Sequence, residues 1–249
     1  MYRRVLIACV LFCIAALQTS HAKNLLGKAY DPESGELLYE EQHTVTNASI
    51  HTRYLTPAGQ LIATREVSFD QDQVRSFQLT HHQLDRVEYV ERQSDSIEIK
   101  VRADQETKSA RVKTRSDQQV TIDAGFSQLI LNNWDRVTAG EKLTTDFVST
   151  ERLGLVKIAI RQRDTALPTE LPADQLTSFE MTLANPLLSW LLSPVRVAYY
   201  SDNQQLAFYE GTSNLYRADG SHLARSAFCS TANRLFLRGM LNSPARRIK

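Results

Sequence analysis

The chain has 249 residues and a formal net charge of +1, with 29 Lys and Arg residues against 28 Asp and Glu residues. This near-neutral balance argues against a general nucleic-acid-binding protein, which needs a strongly basic surface. Its 9 glycines leave little material for phosphate-binding loops.

The first segment, residues 1–22, has the pattern of a secretory signal peptide. Arg3 and Arg4 precede an apolar run over residues 5–17, and small residues stand just before Lys23. The run is shorter than the roughly 20 residues that a bilayer-spanning helix needs. We therefore expect export and cleavage, which leave a soluble mature chain. Cleavage removes two of the 3 cysteines and leaves Cys229, so no disulfide can form within the mature chain.

Residues 29–122 are predicted to be a succession of strands joined by short turns, as at Thr56-Pro57-Ala58-Gly59. Alternation is clear where Ile97 and Ile99 flank Glu98, a pattern typical of an antiparallel sheet with one solvated face. We expect a mainly β fold: a long curved antiparallel sheet, a half-barrel-like meander, with short apolar helices packed on its concave face. It would form a single antiparallel β domain over residues 23–230.

The periodicity changes in the middle of the chain, where apolar residues recur at offsets of three and four. The apolar positions are Phe126, Leu129, Ile130, Trp134 and Val137. This spacing predicts one helix over residues 126–138, with Asn133 as the polar member of its apolar stripe and Gly140 as its end. A second compact apolar helix is predicted over residues 187–192.

These two helices suggest a binding site for a hydrophobic or lipidic ligand, because together they could close over the concave face of the sheet. The candidate ligand-binding residues are Phe126, Ile130, Trp134, Leu187, Trp190 and Leu191. The alternative is that both helices fill the core and leave no cavity. Tyr209, Glu210 and Asn214 are the polar candidates, and the alternative for them is a strand end followed by a turn.

Catalytic and metal-binding motifs are absent from the local sequence. His81 and His82 are adjacent on a predicted strand, so their side chains point to opposite faces and cannot hold one metal ion together. His43 and His51 are isolated, and one interpretation of either is an ordinary exposed strand residue. We expect no metal, no cofactor and no enzymatic activity; a hydrolase whose serine, histidine and aspartate are assembled only by folding is the alternative.

The C-terminal tail, residues 231–249, is basic and contains no acidic residue. Its cations are Arg234, Arg238, Arg246, Arg247 and Lys249, interleaved with apolar residues at positions 235–241. One interpretation is an amphipathic element that makes peripheral contact with an anionic membrane. The other is a frayed terminal helix with a disordered end.

Several motifs resemble a group of uncharacterised exported proteobacterial proteins. They are GKAYD at 27–31, SGELLY at 34–39 with His43, DAGF at 123–126 with Asn133 and Trp134, and YEGTSN at 209–214. The resemblance implies the periplasm of a Gram-negative bacterium as the setting, and no particular activity. At the level of the fold, the expected sheet is similar to lipoprotein carriers of the LolA and LolB type. The main hypothesis is a non-enzymatic module that binds a hydrophobic ligand; an envelope structural or interaction protein is the alternative.

Overall fold

The computed structural model describes residues 22–164, 167–168, 171–185, 194–223 and 225–230. The predicted signal peptide, the predicted second helix and the basic tail lie outside these residues, apart from Ala22. Within the described part, 15 strands form one curved antiparallel sheet, accompanied by two short α-helices and one 3₁₀ turn at Ala173–Gln175. The predicted mainly β class and the long curved sheet are confirmed.

The first eight strands form one continuous meander. They are β1 (Lys23–Tyr30), β2 (Leu37–Val45), β3 (Ser49–Leu55), β4 (Leu61–Asp70), β5 (Gln73–His81), β6 (Arg86–Arg92), β7 (Ser96–Ala103) and β8 (Glu106–Lys113). Each pairs antiparallel with the next. Short turns make this possible; at one of them Gly59 has a φ of 82°, a conformation that costs glycine little.

The remaining strands form a second meander. They are β9 (Val120–Thr121), β10 (Leu143–Ser149), β11 (Gly154–Gln162), β12 (Leu176–Leu183), β13 (Val195–Tyr200), β14 (Leu206–Thr212) and β15 (Arg225–Ser230). Their pairing is antiparallel except between β9 and β10, which run parallel. Antiparallel pairing of β1 with β15 joins the two meanders, so β8 and β9 are the outer strands of the sheet.

The predicted central helix is present but is divided into α1 (Gly125–Asn132) and α2 (Trp134–Thr138). Asn133 separates them, with a φ of −121° and a ψ of 24°. Its side-chain Nδ2 donates a hydrogen bond to the carbonyl of Leu129 at 2.9 Å. Asparagine favours such local bonds over continued helix, which accounts for the break that periodicity alone did not predict.

The sheet is so strongly curved that side chains from its two meanders pack into one hydrophobic core. One core cluster combines Val67 and Ile97 from the first meander with Val120 and Val148 from the second. A second cluster surrounds α1 and α2, which pack against β5, β9 and β11. The helices therefore lie on the inner side of the curved sheet, with Leu129, Ile130 and Val137 buried and Phe126 and Trp134 half-buried.

Side-chain hydrogen bonds connect the two meanders at places where no strand of one pairs with a strand of the other. Arg92 Nη2 donates to the carbonyl of Val120 at 2.7 Å, and its Nε donates to the carbonyl of Val74 at 3.2 Å. The Thr150 hydroxyl donates to the Glu88 carboxylate, joining β6 to the β10–β11 turn. We call these contacts, together with the ion pair of Arg65 and Asp123 described below, the seam. None of the helices within the described residues has the length and apolar character needed to cross a bilayer.

Candidate functional site

A group of polar side chains lies on the inner face of the sheet, where most neighbours are apolar. Cross-strand pairing sets His43 on β2 opposite Thr52 on β3, and Thr52 opposite Arg65 on β4. Glu41 lies on the same face two residues before His43, and Asp123 approaches from the segment that precedes α1. We call these five residues the inner polar cluster.

Hydrogen bonds connect four of these residues in a line. Arg65 Nη2 donates to Thr52 Oγ1 at 3.3 Å, and His43 Nδ1 lies 2.9 Å from the same oxygen. Since an arginine can only donate, the threonine hydroxyl is free to give its own hydrogen to Nδ1. The His43 Nε2 hydrogen then faces Glu41 Oε2, 2.9 Å away. The line runs from a cation to a carboxylate, and when the threonine donates to Nδ1 the imidazole carries its hydrogen on Nε2.

Asp123 and Arg65 form an ion pair across the seam, with Nη1 and Oδ2 separated by 3.4 Å. The Asp123 side chain is only 7% exposed. Its Oδ2 and the Nε of Arg65 are buried and have no hydrogen-bond partner within the described part of the chain. Asp123 also has a φ of 42°, in the left-handed region that few residues other than glycine, asparagine and aspartate adopt. Backbone strain of this kind often accompanies functional sites.

Three tyrosines surround the inner polar cluster. Burial raises the pKa of Tyr209 to about 12, with the nearby Asp123 and Glu41 carboxylates adding to the rise. Burial also raises the pKa of Tyr54 and of Tyr39, whose hydroxyl lies 3.1 Å from Ser226 Oγ. All three hydroxyls therefore stay protonated at neutral pH and are available as neutral hydrogen-bond donors.

The predicted apolar site adjoins the inner polar cluster through Phe126. The Phe126 ring is 6.4 Å from that of Tyr209, and the Trp134 ring packs edge-on against Phe179 at 5.4 Å. Ile130 has no exposed surface. Phe126 and Trp134 are half-buried. The structure thus brings the three helix residues into one apolar cluster; Leu187, Trp190 and Leu191 lie outside the described residues.

The three predicted polar candidates do not share a site. Tyr209 belongs to the inner surface, whereas Glu210 lies on the other face of β14 with its carboxylate 3.3 Å from Arg196 Nη1. Asn214 is exposed beyond the end of the strand. His43 requires a correction: its side chain is only 12% exposed, because the curled sheet covers the inner face of β2. His81 and His82 do point to opposite faces, and only His81 is buried.

Sequence reasoning missed Thr52 and Arg65 altogether, since neither stands in a recognisable motif. The sequence did contain a partial indication of where the site lies. His43, Asp123 and Tyr209 each belong to a segment of the family resemblance, and folding brings these three distant segments to one place. No group of three or more His, Cys, Asp or Glu side chains within the described residues is arranged to hold a metal ion.

A cleft of about 430 Å³ lies apart from this cluster, between the β7–β8 hairpin and the β10–β11 turn. Its lining includes Arg86, Val101, Ala103, Lys108 and Leu153. Arg86 donates two hydrogen bonds, at 2.9 and 2.7 Å, to one carboxylate oxygen of Glu88. The cleft is therefore mixed in character, with apolar walls and charged groups of both signs at its rim.

Comparison with known proteins gives little beyond the fold. No family model matches the chain, and no curated protein matches it. Among solved structures, the chain is similar to a β-barrel-like protein of domain of unknown function DUF1849 from Brucella abortus. The match has 8% sequence identity, covers 84% of this chain and 94% of that one, and has a TM-score of 0.35. Similarity at this level carries no argument about the site.

Proposed function

We propose that this chain is an exported, non-enzymatic binding module of the bacterial periplasm and that its ligand is amphipathic. One observation carries the proposal: the buried Nε of Arg65 has no hydrogen-bond partner among the described residues, and the buried Oδ2 of Asp123 has only its 3.4 Å ion pair with Arg65. Phe126, which is half-buried, follows Asp123 on α1 and packs against Tyr209. A buried polar atom left without a partner costs about 1–3 kcal/mol. A polar head group placed there would remove that cost.

The charges of the inner polar cluster favour a neutral head group. The cluster combines one arginine with the carboxylates of Glu41 and Asp123, so it offers no net positive charge to an anion. A hydroxyl group suits it, because one hydroxyl accepts from the Arg65 N–H and donates to the Asp123 oxygen. The tail would lie on the exposed parts of Phe126 and Trp134, with about 0.8 kcal/mol gained per buried CH₂.

The signal-peptide pattern of residues 1–22 and the resemblance to exported proteobacterial proteins support the periplasmic setting. A monoacylglycerol has the required chemistry, with a neutral hydroxylated head and one acyl chain. The corresponding fatty acid has the same chain and an anionic head. Comparing the two therefore isolates the contribution of the head group.

Native mass spectrometry tests this proposal. The mature chain is purified gently from the periplasm and its bound species are identified after organic extraction. The stripped protein is then incubated with monoacylglycerol or fatty acid. We expect a monoacylglycerol adduct that weakens about tenfold in Arg65→Lys and persists in the matched control Arg75→Lys, whose residue is exposed on β5. Circular dichroism checks folding. If the protein shows only its own mass after incubation with either lipid, the proposal is overturned.

A second candidate function rests on the line of hydrogen bonds in the inner polar cluster. Thr52, His43 and Glu41 stand in the order hydroxyl, imidazole, carboxylate that activates nucleophiles in hydrolases. Thr52 has no exposed surface, so a substrate would have to enter the curl to reach it. Hydrolysis of p-nitrophenyl esters of increasing chain length tests this. Turnover kept in Thr52→Ser and lost in Thr52→Val would favour a hydrolase, and a rate equal to that of buffer would dismiss it.

A further inference from the structure

Strand β8 ends the first meander and leaves one backbone edge open. It pairs with β7 and with no other strand in the described part of the chain. β11 comes near it without forming a ladder. Six of its eight residues are exposed. An unpaired strand edge is a ready template for another extended segment.

This edge carries cations that form no ion pair with any of the described residues. Lys108, Arg111 and Lys113 make no ion pair or side-chain hydrogen bond within the described residues. The neighbouring strand differs: Lys100 pairs with Glu98 at 3.0 Å, and Arg102 on that strand pairs with Asp85 at 3.2 Å. On β8 itself three cations outnumber one carboxylate, Glu106. Glu98 lies opposite Arg111 in the strand register but is already ion-paired with Lys100, so positive charge is in excess at this edge.

The two faces of β8 have different chemistry. Ala110 and Val112 are half-buried and lie opposite Ile99 and Ile97 of the core, whereas Arg111 and Lys113 alternate with them on the outer face. A segment that continues the sheet would place alternate side chains on these two faces. Apolar residues suit the inner face and acidic residues the outer one.

A second copy of this chain is a poor occupant of the edge. Antiparallel self-pairing of β8 about its middle would set Lys108 opposite Arg111 at two places, and like charges across strands are destabilising. The one carboxylate of the strand, Glu106, would face Lys113 and offset only part of this repulsion. An acidic segment gains from the same charges.

We propose that the β8 edge docks an extended segment of a partner protein in which acidic and apolar residues alternate, adding as a further strand beyond β8. Backbone hydrogen bonds supply most of the affinity in this mode of recognition, and side-chain alternation supplies the specificity. The proposal does not depend on a ligand in the inner polar cluster, which lies on other strands.

Fluorescence anisotropy with a labelled peptide tests the proposal. The probe alternates glutamate and valine over about ten residues, long enough to cover the strand. We expect saturable binding to the mature chain that weakens at least about tenfold in the double variant Arg111→Glu, Lys113→Glu. The matched control, Lys142→Glu with Arg217→Glu, reverses two exposed cations elsewhere and should bind as the parent does. Circular dichroism verifies that all variants are folded.

Backbone pairing is tested separately from charge. Two further peptides carry N-methyl groups on every glutamate or on every valine, so each lacks the N–H donors of one edge. At least one of them should lose binding. The proposal is overturned if the parent peptide does not bind, if charge reversal on β8 leaves its affinity unchanged, or if both N-methylated peptides bind as well as the parent.

Discussion

His43 Nδ1 lies 2.9 Å from the hydroxyl oxygen of Thr52 on the neighbouring strand, and this oxygen also accepts a hydrogen bond from Arg65. One buried hydroxyl thus connects an imidazole to a guanidinium. Neither contact is local in sequence, since each depends on the register of three consecutive strands. The integrity of the inner polar cluster can therefore be measured through this single group.

Thr52→Val should lower the free energy of unfolding by about 1–3 kcal/mol, because the isosteric side chain leaves the buried His43 and Arg65 nitrogens without their shared partner. Thr52→Ser keeps the hydroxyl and should cost less. Urea denaturation of both variants measures the difference. Thr107→Val, at an exposed position of β8, is the control and should change stability little; equal losses for valine and serine at position 52 would contradict the assignment.

Arg65→Met should destabilise the chain by about 3–5 kcal/mol, because it leaves the Asp123 carboxylate buried without its cation. Adding Asp123→Asn removes that charge and should recover part of the loss, since asparagine also accepts the left-handed backbone at this position. A double-mutant cycle on chemical denaturation gives the coupling energy. Strictly additive effects would show that the ion pair across the seam contributes nothing.

Gly211→Ala should destabilise the fold by about 1–3 kcal/mol through overpacking. A Cβ at this position would stand 2.8 Å from the Tyr209 hydroxyl oxygen and 3.0 Å from Val195 Cγ2. In a Tyr209→Phe background the loss should be smaller, because the closest atom is gone. Gly154→Ala, whose nearest contact is 3.7 Å away, is the matched control. A loss that is the same in both backgrounds would mean that the tyrosine hydroxyl does not limit the space.

His81 should make the fold sensitive to acid. Burial lowers the pKa of His81 from 6.5 to about 4, and neither ring nitrogen has a hydrogen-bond partner among the described residues. As the pH falls below 6.5, the unfolded chain binds a proton at this histidine before the folded chain does. Stability is therefore lost between pH 6.5 and about pH 4 and is retained above that window.

His81→Phe should remove this contribution. The loss of stability between about pH 7.5 and about pH 5 should be about 2 kcal/mol smaller in the variant than in the parent. Denaturation at the two pH values measures it, with His82→Phe at the adjacent exposed position as control. An unchanged pH dependence in His81→Phe would show that the buried imidazole takes up its proton in both states alike.

The strands were predictable because their signal is local. Ile97 and Ile99 alternate with charged residues, and the turn at Gly59 needs only its own residues, so both appear in a single sequence. The break at Asn133 was harder, since it depends on whether a side chain bonds to the backbone of Leu129 or points elsewhere.

The candidate site was largely beyond sequence reasoning. Arg65 and Asp123 meet only because the sheet curls, and Thr52 faces His43 only in one strand register. A shift of one residue would turn each side chain to the opposite face. Periodicity gives the face that a residue shares with its own strand, but it does not give the curvature that decides which faces meet.

The pairing of β1 with β15 has a consequence for the order in which the sheet forms. Gly27 pairs with Ser230, whereas most other ladders join strands that are neighbours in sequence. Each hairpin of the first meander can therefore form from a short stretch of chain, but the free edge of β1 must wait for a strand about 200 residues away. During that interval an open edge stands at the N-terminal side of a partly formed sheet, the condition under which chains aggregate or recruit chaperones. Completion of β15 is the step that ends this exposure.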